Sequence, residues 1–411
     1  MNAERDVTID SLGAAGDGIA HDSAGAHYVP FALPGETVRV RTTDKRRFEL
    51  VGVLAASPHR IAPFCPHAGR CGGCRLQHAD AATYGAFKRG LVEAALRRAA
   101  VPMPGDLSLI DAHGAGRRRI FLHVLRLGRA YGAGFMAVGS HRLEPIESCP
   151  AAAEALRPAP AIARAIGEAL KARKPFDVQV TATDTGLDID LRGVRATDPL
   201  VLSDLADVAR GHDVARLTID GDPVAVLREP VVSMGRARVA LPPASFLQAT
   251  AAGEEALAAR VTAGLASSSR VADLFCGVGP FALRLAETAA VTAWDAARPA
   301  VAALDQAHRR TSGLKPLVAT ARDLFRHPVT AVELKSFDGA VFDPPRQGAE
   351  AQAHELARSP LSRVVAVSCD PQTFARDAAI LVAQGFVLDD VVAVDQFKWT
   401  SHVEIVARFT R

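Results

Sequence analysis

VADLFCGVGPFALRLA, residues 271–286, decides the fold. A short apolar run leads into Asp273, Phe275, Gly277 and Gly279, and a helix-forming apolar stretch follows at once. That is the pattern of a strand ending in a loop at a helix N-terminus. Glycine in such a loop lets the backbone approach a ligand without a Cβ clash, and the helix start supplies unpaired N–H groups. A glycine pair alone is also common in plain turns and dinucleotide sites. The next strand narrows the reading. AVTAWD (290–295) ends in Asp295, where a carboxylate can accept bonds from both hydroxyls of a ribose. GVGPFA lacks the third glycine of G-x-G-x-x-G, which disfavours a dinucleotide.

Outward from this stretch, apolar strands alternate with helix-length segments: PLVATA, FDGAVFD, RVVAVSC, GFVLDDVVAVD and HVEIVARF. From about residue 241 onward this predicts an α/β domain with a doubly wound parallel sheet, whose ligands sit at the carboxyl ends of the strands. Asp343-Pro344-Pro345-Arg346 closes one such strand, and two consecutive prolines make a stiff loop without N–H donors. Adenine N-methyltransferases have an aromatic residue after the prolines, and Arg346 stands there instead. Cys369 closes the following strand. A free cysteine beside a strand is more often a small buried hydrophobe, but its place at a carboxyl end, opposite the glycine loop and before Asp370-Pro371, marks it as a nucleophile. In the last strand His402 and Glu404 are two apart and so share a face, with Val403 and Ile405 on the other. An acid within a terminal buried strand is costly without a role, and an exposed edge is the alternative.

Residues 1–58 alternate apolar and polar residues in short runs broken by glycine, which predicts a five-stranded small barrel of the oligonucleotide-binding type. Residues 59–240 are mixed α+β, with a helix at TYGAFKRGLVEAALRRAA whose Phe87, Leu91, Ala95 and Leu96 share a face, and strands at FLHVLRL, DVQVTAT, LDIDLRG and ARLTID. Of six cysteines, Cys65, Cys71 and Cys74 fall within ten residues, and Cys149 offers a fourth thiolate. Four sulfurs suit zinc or an iron–sulfur cluster, and spacing leaves both open. Cys276 reads as packing.

The chain has 411 residues, 49% hydrophobic and 23% charged, ample for several cores and unlike a disordered protein. No apolar run approaches the ~20 residues of a membrane helix and the start lacks the features of a secretion signal, so a cytoplasmic protein without membrane contact is expected. Net charge is only +3, so nucleic-acid contact must come from clusters: Lys45-Arg46-Arg47, Arg97-Arg98 and Arg117-Arg118-Arg119. Any one of these is more often a solvated face.

SLGAAGDGIA and YVPFALPGETV resemble the TRAM module, a small RNA-binding barrel. DLFCGVG, Asp295, RDLF and DPPR resemble the class I S-adenosylmethionine methyltransferase fold. With SFLQAT, DPPRQG, VSCDPQTFARD and WTSHVEIV, the chain is similar over essentially its whole length to the RNA 5-methyluridine methyltransferase family. The resemblance implies methyl transfer from S-adenosylmethionine to C5 of a uridine in RNA. It implies Cys369 as nucleophile, because C5 of uracil is too electron-poor to take the methyl until a thiolate adds at C6, and Glu404 as the base that then removes the C5 proton. Gln248, Phe275, Gly277, Gly279, Asp295, Asp323 and Asp343 would line the cofactor, Asp323 from the position of adenine-contacting acids, although alone it reads as a helix N-cap. CPHAGRCGGCRLQH is similar to the segment holding a 4Fe-4S cluster in ribosomal RNA members, which makes Cys65, Cys71, Cys74 and Cys149 cluster ligands. Barrel and cysteines together favour 23S ribosomal RNA over tRNA, whose enzymes resemble a shorter architecture with neither. Pro280, Thr250 and Asp370 depart from frequent family residues, polar, Asn and Asn respectively. Two rivals are weighed: an RNA 5-methylcytidine methyltransferase, which would carry Thr-Cys and Pro-Cys where this chain has Ser-Cys and Asp-Pro-Pro, and a ribosome-assembly factor that has lost turnover, which retention of Cys369 and Glu404 argues against.

Overall fold

The computed structural model describes residues 4–44 and 46–411, so Lys45 of the first basic run lies outside the described residues. The C-terminal sheet is built from β1 (Arg270–Leu274), β2 (Ala290–Asp295), β3 (Leu317–Ala321), β4 (Gly339–Phe342), β5 (Arg363–Ser368), β6 (Val387–Asp395) and β7 (Glu404–Thr410). Their spatial order is β3-β2-β1-β4-β5-β7-β6. β1 to β5 run parallel, as apolar strands joined by helical crossovers must. The sheet is not wholly parallel, however: β7 is antiparallel to both β5 and β6. A short loop of residues 396–403 returns the chain from β6, and a connection that short can only form a hairpin. The reversal puts the start of β7, where Glu404 stands, at the same edge as the carboxyl ends of β1, β4 and β5.

Helices cover both faces. Ala251–Gly264 and Arg298–Arg310 bury Leu257, Val261 and Leu304 on one side. Pro371–Ala383 and Ala81–Arg98 bury Phe374, Leu381, Val92 and Leu96 on the other. Complete burial of each such side chain is worth about 1.5–3 kcal/mol. The helix Ala81–Arg98 and the strand Ser108–Asp111, which pairs in parallel with β6, belong to this sheet although they precede it by more than one structural unit in the chain. The sequence places the helix in the central segment and gives no sign of the strand, because a four-residue strand far from its partner leaves no local pattern. The helix is also rotated from the expected face: Tyr84, Lys88, Val92, Ala95 and Leu96 are buried, while Phe87 and Leu91 are only partly covered. Periodicity counts apolar residues and so overlooks a buried lysine.

The central sheet has seven strands, including the expected ones at Arg119–Leu127, Phe176–Thr183, Gly186–Arg192 and Arg216–Ile219. Helices Ala159–Leu170 and Pro199–Gly211 pack with them around Ile162, Ile166, Val178 and Ile189. Among the described residues the N-terminal strands are six, ordered from Glu4–Thr8 to Ser11–Leu12. These two are halves of one bent stretch: Ile9 N–H donates to Glu36 O (2.9 Å) and Asp10 N–H to Ile19 O (2.8 Å). The chain thus pairs on both sides of the bend, which reconciles six strands with the five expected. Among the described residues, no helix is long and apolar enough to cross a membrane.

Gly279 has φ +93°, and a Cβ there would lie 2.3 Å from Leu304 Cδ1. Gly279→Ala should therefore cost about 1–3 kcal/mol from overpacking alone, with left-handed strain added, and thermal unfolding followed by circular dichroism should show a midpoint lower by several degrees.

Candidate active site

The glycine loop begins where β1 stops. Phe275 (φ +65°) and Gly277 (φ +53°) both turn the backbone left-handed, a conformation that is uncommon for a bulky side chain and marks a held loop. A Cβ on Gly277 would meet no atom within 4 Å, so the loop opens onto a cradle there. Asp295 ends β2 beside it, its Oδ2 accepting from Gly277 N–H (2.9 Å) and Oδ1 from Ala297 N–H (2.8 Å). Beneath the loop, Asp273 is fully buried and neither carboxylate oxygen has a hydrogen-bond partner among the described residues. Burial and the nearby Asp343 and Asp295 hold its carboxyl well above the usual range. Asp323 accepts from Phe325 N–H (3.0 Å) and Arg326 N–H (3.3 Å), so it caps a turn. That turn brings the Phe325 ring to 5.3 Å from that of Phe275. Two aromatic faces, a ribose-type carboxylate and an open glycine cradle suit an adenosine-bearing ligand.

A second group of residues meets this pocket at Asp343. Gln248 Nε2 donates to Asp343 Oδ2 (3.1 Å), and Gln396 Nε2 donates to Gln248 Oε1 (2.6 Å). Gln396 also lies beside Glu404 and opposes the rise of its carboxyl, whose Oε2 has no partner among the described residues. Gln248, expected to line the cofactor, is thus the link between Asp343 and the Glu404 end. Cys369 follows β5, and the register Ser368 opposite Ile405 makes Cys369 and Glu404 neighbours at the next step. Burial pushes the Cys369 thiol up to about 12, with Glu404 and Asp343 adding to the rise and the Arg346 guanidinium opposing it. Burial raises the Glu404 carboxyl, and Asp343 raises it further; Asp343 is raised by burial and by Asp295. Acids and thiol thus favour their neutral forms by sharing one poorly hydrated space.

Three expectations change. His402 lies before β7 rather than within it and is exposed, so it does not share a strand face with Glu404. Thr250 and Asp370 act as helix caps, Thr250 accepting from Gly253 N–H (2.8 Å) and Asp370 from Gln372 and Thr373 N–H (2.9 and 3.0 Å), tasks that Asn would serve equally. The run Arg117–Arg119 diverges. Arg118 is buried, pairs with Glu254 and donates to Gln248 O (3.0 Å); Arg119 stacks on Phe246 (4.8 Å) and Phe121 (5.8 Å); Arg117 lies over Phe397 (5.7 Å). Gln396 escaped sequence reasoning, although a polar residue closing the apolar strand VVAVD was the available signal. The four cysteines of the central segment are half-buried with free thiols. Among the described residues, no three Cys, His, Asp or Glu side chains are gathered as one metal ion requires.

The strand order and the pocket at its carboxyl edge define a class I S-adenosylmethionine-dependent methyltransferase. Residues 236–410 match the family described as tRNA (Uracil-5-)-methyltransferase, and residues 2–55 match the TRAM domain. An uncharacterized RNA methyltransferase of Rhizobium meliloti is 44% identical over 98% of both chains, and one of Caulobacter vibrioides is 45% identical over 99% of this chain and 100% of its own. The 23S rRNA (uracil(1939)-C(5))-methyltransferase RlmD of Pectobacterium carotovorum is 32% identical over 98% of this chain and 93% of its own. The tRNA (uracil-54, C5)-methyltransferase of Pyrococcus abyssi, crystallised with S-adenosyl-L-homocysteine, superposes with a TM-score of 0.74 over 99% of this chain and 100% of its own at 22% identity, which shows the shared fold. The chain belongs to the RNA (uracil-5-)-methyltransferase family and is a S-adenosylmethionine-dependent enzyme of that kind.

A carboxyl raised in the folded state stabilises fully below its unfolded value, and that stability is lost as pH rises through the folded value. Glu404→Gln removes one such group. Its unfolding midpoint should fall less than that of the wild type between about pH 5 and pH 9, as differential scanning calorimetry would show; parallel curves would contradict the raised carboxyl.

Proposed function

We propose that the substrate is a uridine of 23S ribosomal RNA, with Cys369 as nucleophile and Glu404 as base. The observation that carries the roles is the pairing of β5 with β7, which sets thiol and carboxyl side by side at the edge of the cofactor cradle. S-adenosylmethionine supplies an electrophilic methyl group. Cys369 Sγ adds to C6 of the uracil, and the C5–C6 π electrons become an enolate that is nucleophilic at C5. Once C5 is methylated, Glu404 takes its proton through the unpartnered Oε2, the C5–H electrons restore the double bond, and the C6–S bond breaks to release the thiolate. Gln396 orients the carboxyl and Gln248 ties it to Asp343. The Arg346 charge favours the thiolate against burial. A uridine in a stem cannot present C6 to a thiol, so the target must lie in a loop or be flipped out.

The 32% identity to the Pectobacterium enzyme over nearly the whole chain favours ribosomal RNA, and hence the cytoplasm. Architecture does not separate the two RNAs, because the Pyrococcus tRNA enzyme spans the same length in the same fold. The barrel of residues 4–55 and Arg119 would contact the RNA backbone and position the site without choosing the base.

Cys65, Cys71, Cys74 and Cys149 would hold a 4Fe-4S cluster. Each of Cys71, Cys74 and Cys149 is raised by burial first and then by the charges of its neighbours, so the four thiols form one electrostatic group, with Gly73 N–H donating to Cys71 Sγ (3.4 Å). Four sulfurs also suit a single zinc, and the resemblance of CPHAGRCGGCRLQH to the cluster segment of ribosomal RNA members is what favours iron. Its role would be structural stapling or RNA contact, since this reaction moves no electron.

Nucleoside analysis of ribosomal and transfer RNA from a deletion strain should show one 5-methyluridine missing from 23S RNA, with 5-methylcytidine unchanged. Cys369→Ala should form no adduct and no product, and Glu404→Gln should accumulate a methylated protein–RNA adduct on denaturing gels. Product from Cys369→Ala would overturn the roles. Anaerobically purified protein should hold about four irons with broad visible absorbance, lost in Cys65→Ser; zinc without iron would refute the cluster.

A further inference from the structure

Lys88 is the largest side chain with no exposure at all, and it lies on the helix Ala81–Arg98, outside the segment that matches the uracil-5 methyltransferase family. Its Nζ donates to Asp395 Oδ1 (2.8 Å), to Phe397 O (3.3 Å) and to His402 O. Three donors thus meet three acceptors, two of which are the backbone carbonyls at either foot of the loop 396–403. Tyr84, one turn earlier on the same helix, donates from its hydroxyl to Asp395 Oδ2 (2.7 Å) and accepts from Trp399 N–H (2.8 Å). Trp399 has φ +63°, and its carbonyl accepts from Arg75 N–H (2.7 Å) and Leu76 N–H (3.1 Å) just beyond Cys74. The loop clamped in this way begins with Gln396 and ends against Glu404.

A buried ion pair is weak evidence for stability, because desolvating both charges offsets most of their attraction. What the arrangement does fix is the geometry of the loop. We propose that Lys88 and Tyr84 are positioning residues that, acting through Asp395 and the backbone of loop 396–403, set Gln396 and Glu404 for removal of the C5 proton. This rests on the reading of Glu404 as the base. Cys369 and the cofactor cradle are held by β5 and β1 instead, so formation of the methylated adduct does not depend on the clamp while its resolution does. In that step Glu404 takes the proton from C5, the electrons re-form C5=C6, and the thiolate leaves.

The test is a single-turnover reaction of the full-length protein with labelled S-adenosylmethionine and whichever unmodified RNA the wild type methylates, timing adduct formation and adduct decay separately. Tyr84→Phe and Lys88→Met should form adduct within about threefold of the wild-type rate and resolve it about 10–100-fold more slowly, the scale of a 1 Å misplacement of a catalytic group. A fall in both steps together, or no change in decay, would overturn the proposal, since a merely structural clamp does not distinguish the two halves. If Lys88→Met does not fold, Tyr84→Phe decides, because it keeps the ring in place and removes only the hydroxyl. Glu404→Gln runs alongside: if it accumulates no adduct, the base assignment fails and the proposal with it, whereas accumulation in Glu404→Gln but not in Tyr84→Phe overturns the clamp alone.

Discussion

Carboxyl groups crowded into one poorly hydrated space are the constraint around which the rest of this protein is arranged. Asp273, Asp295, Asp343 and Glu404 all sit at the carboxyl edge of the sheet, where the Gln248 amide donates to Asp343 and Gln396, bonded to Gln248, lies beside Glu404. A cation at short range would lock these acids as carboxylates. Gln248 and Gln396 satisfy them without fixing their charge. The cost is a site that favours neutral acids and a neutral thiol at rest, relieved on one side only by Arg346.

Such a site demands a scaffold that does not yield. β1 and β5 fix the loop and the thiol from the interior of the sheet, where neighbours on both sides and helices on both faces leave no freedom. Glu404 belongs to the hairpin of β6 and β7, nearer the edge, where a loop separates it from the rigid core. The lysine, tyrosine and aspartate of the clamp supply there what sheet geometry supplies elsewhere. Arg118 plays a related part on the other side, tying Gln248 to Glu254.

The motifs at strand ends were legible because they combine local signals: glycine where the backbone turns left-handed, an acid closing an apolar strand, and a cysteine before Asp-Pro. Phe275, Gly277 and Asp295 meet in the structure as their spacing predicted, and Cys369 and Glu404 are neighbours through strand pairing. His402 misled because alternation was extended past the start of β7. Lys88, Tyr84 and Gln396 were hidden for a different reason. Each is polar and buried through partners remote in sequence, Lys88 and Asp395 being 307 residues apart, and no local pattern encodes such a pair. The Ser108–Asp111 strand was missed on the same ground.

That strand also has a bearing on how the protein is made. Among the described residues Ser108–Asp111 pairs only with β6, so during synthesis from the N-terminus it must wait for almost the entire chain before its backbone amides find that partner. Until then a helix with an apolar face and a short unpaired strand remain uncovered, the kind of exposure that slows folding and invites association between nascent chains. The same delay means that no partly made chain can close the contacts around loop 396–403, because Tyr84 and Lys88 must wait for Asp395 and Trp399.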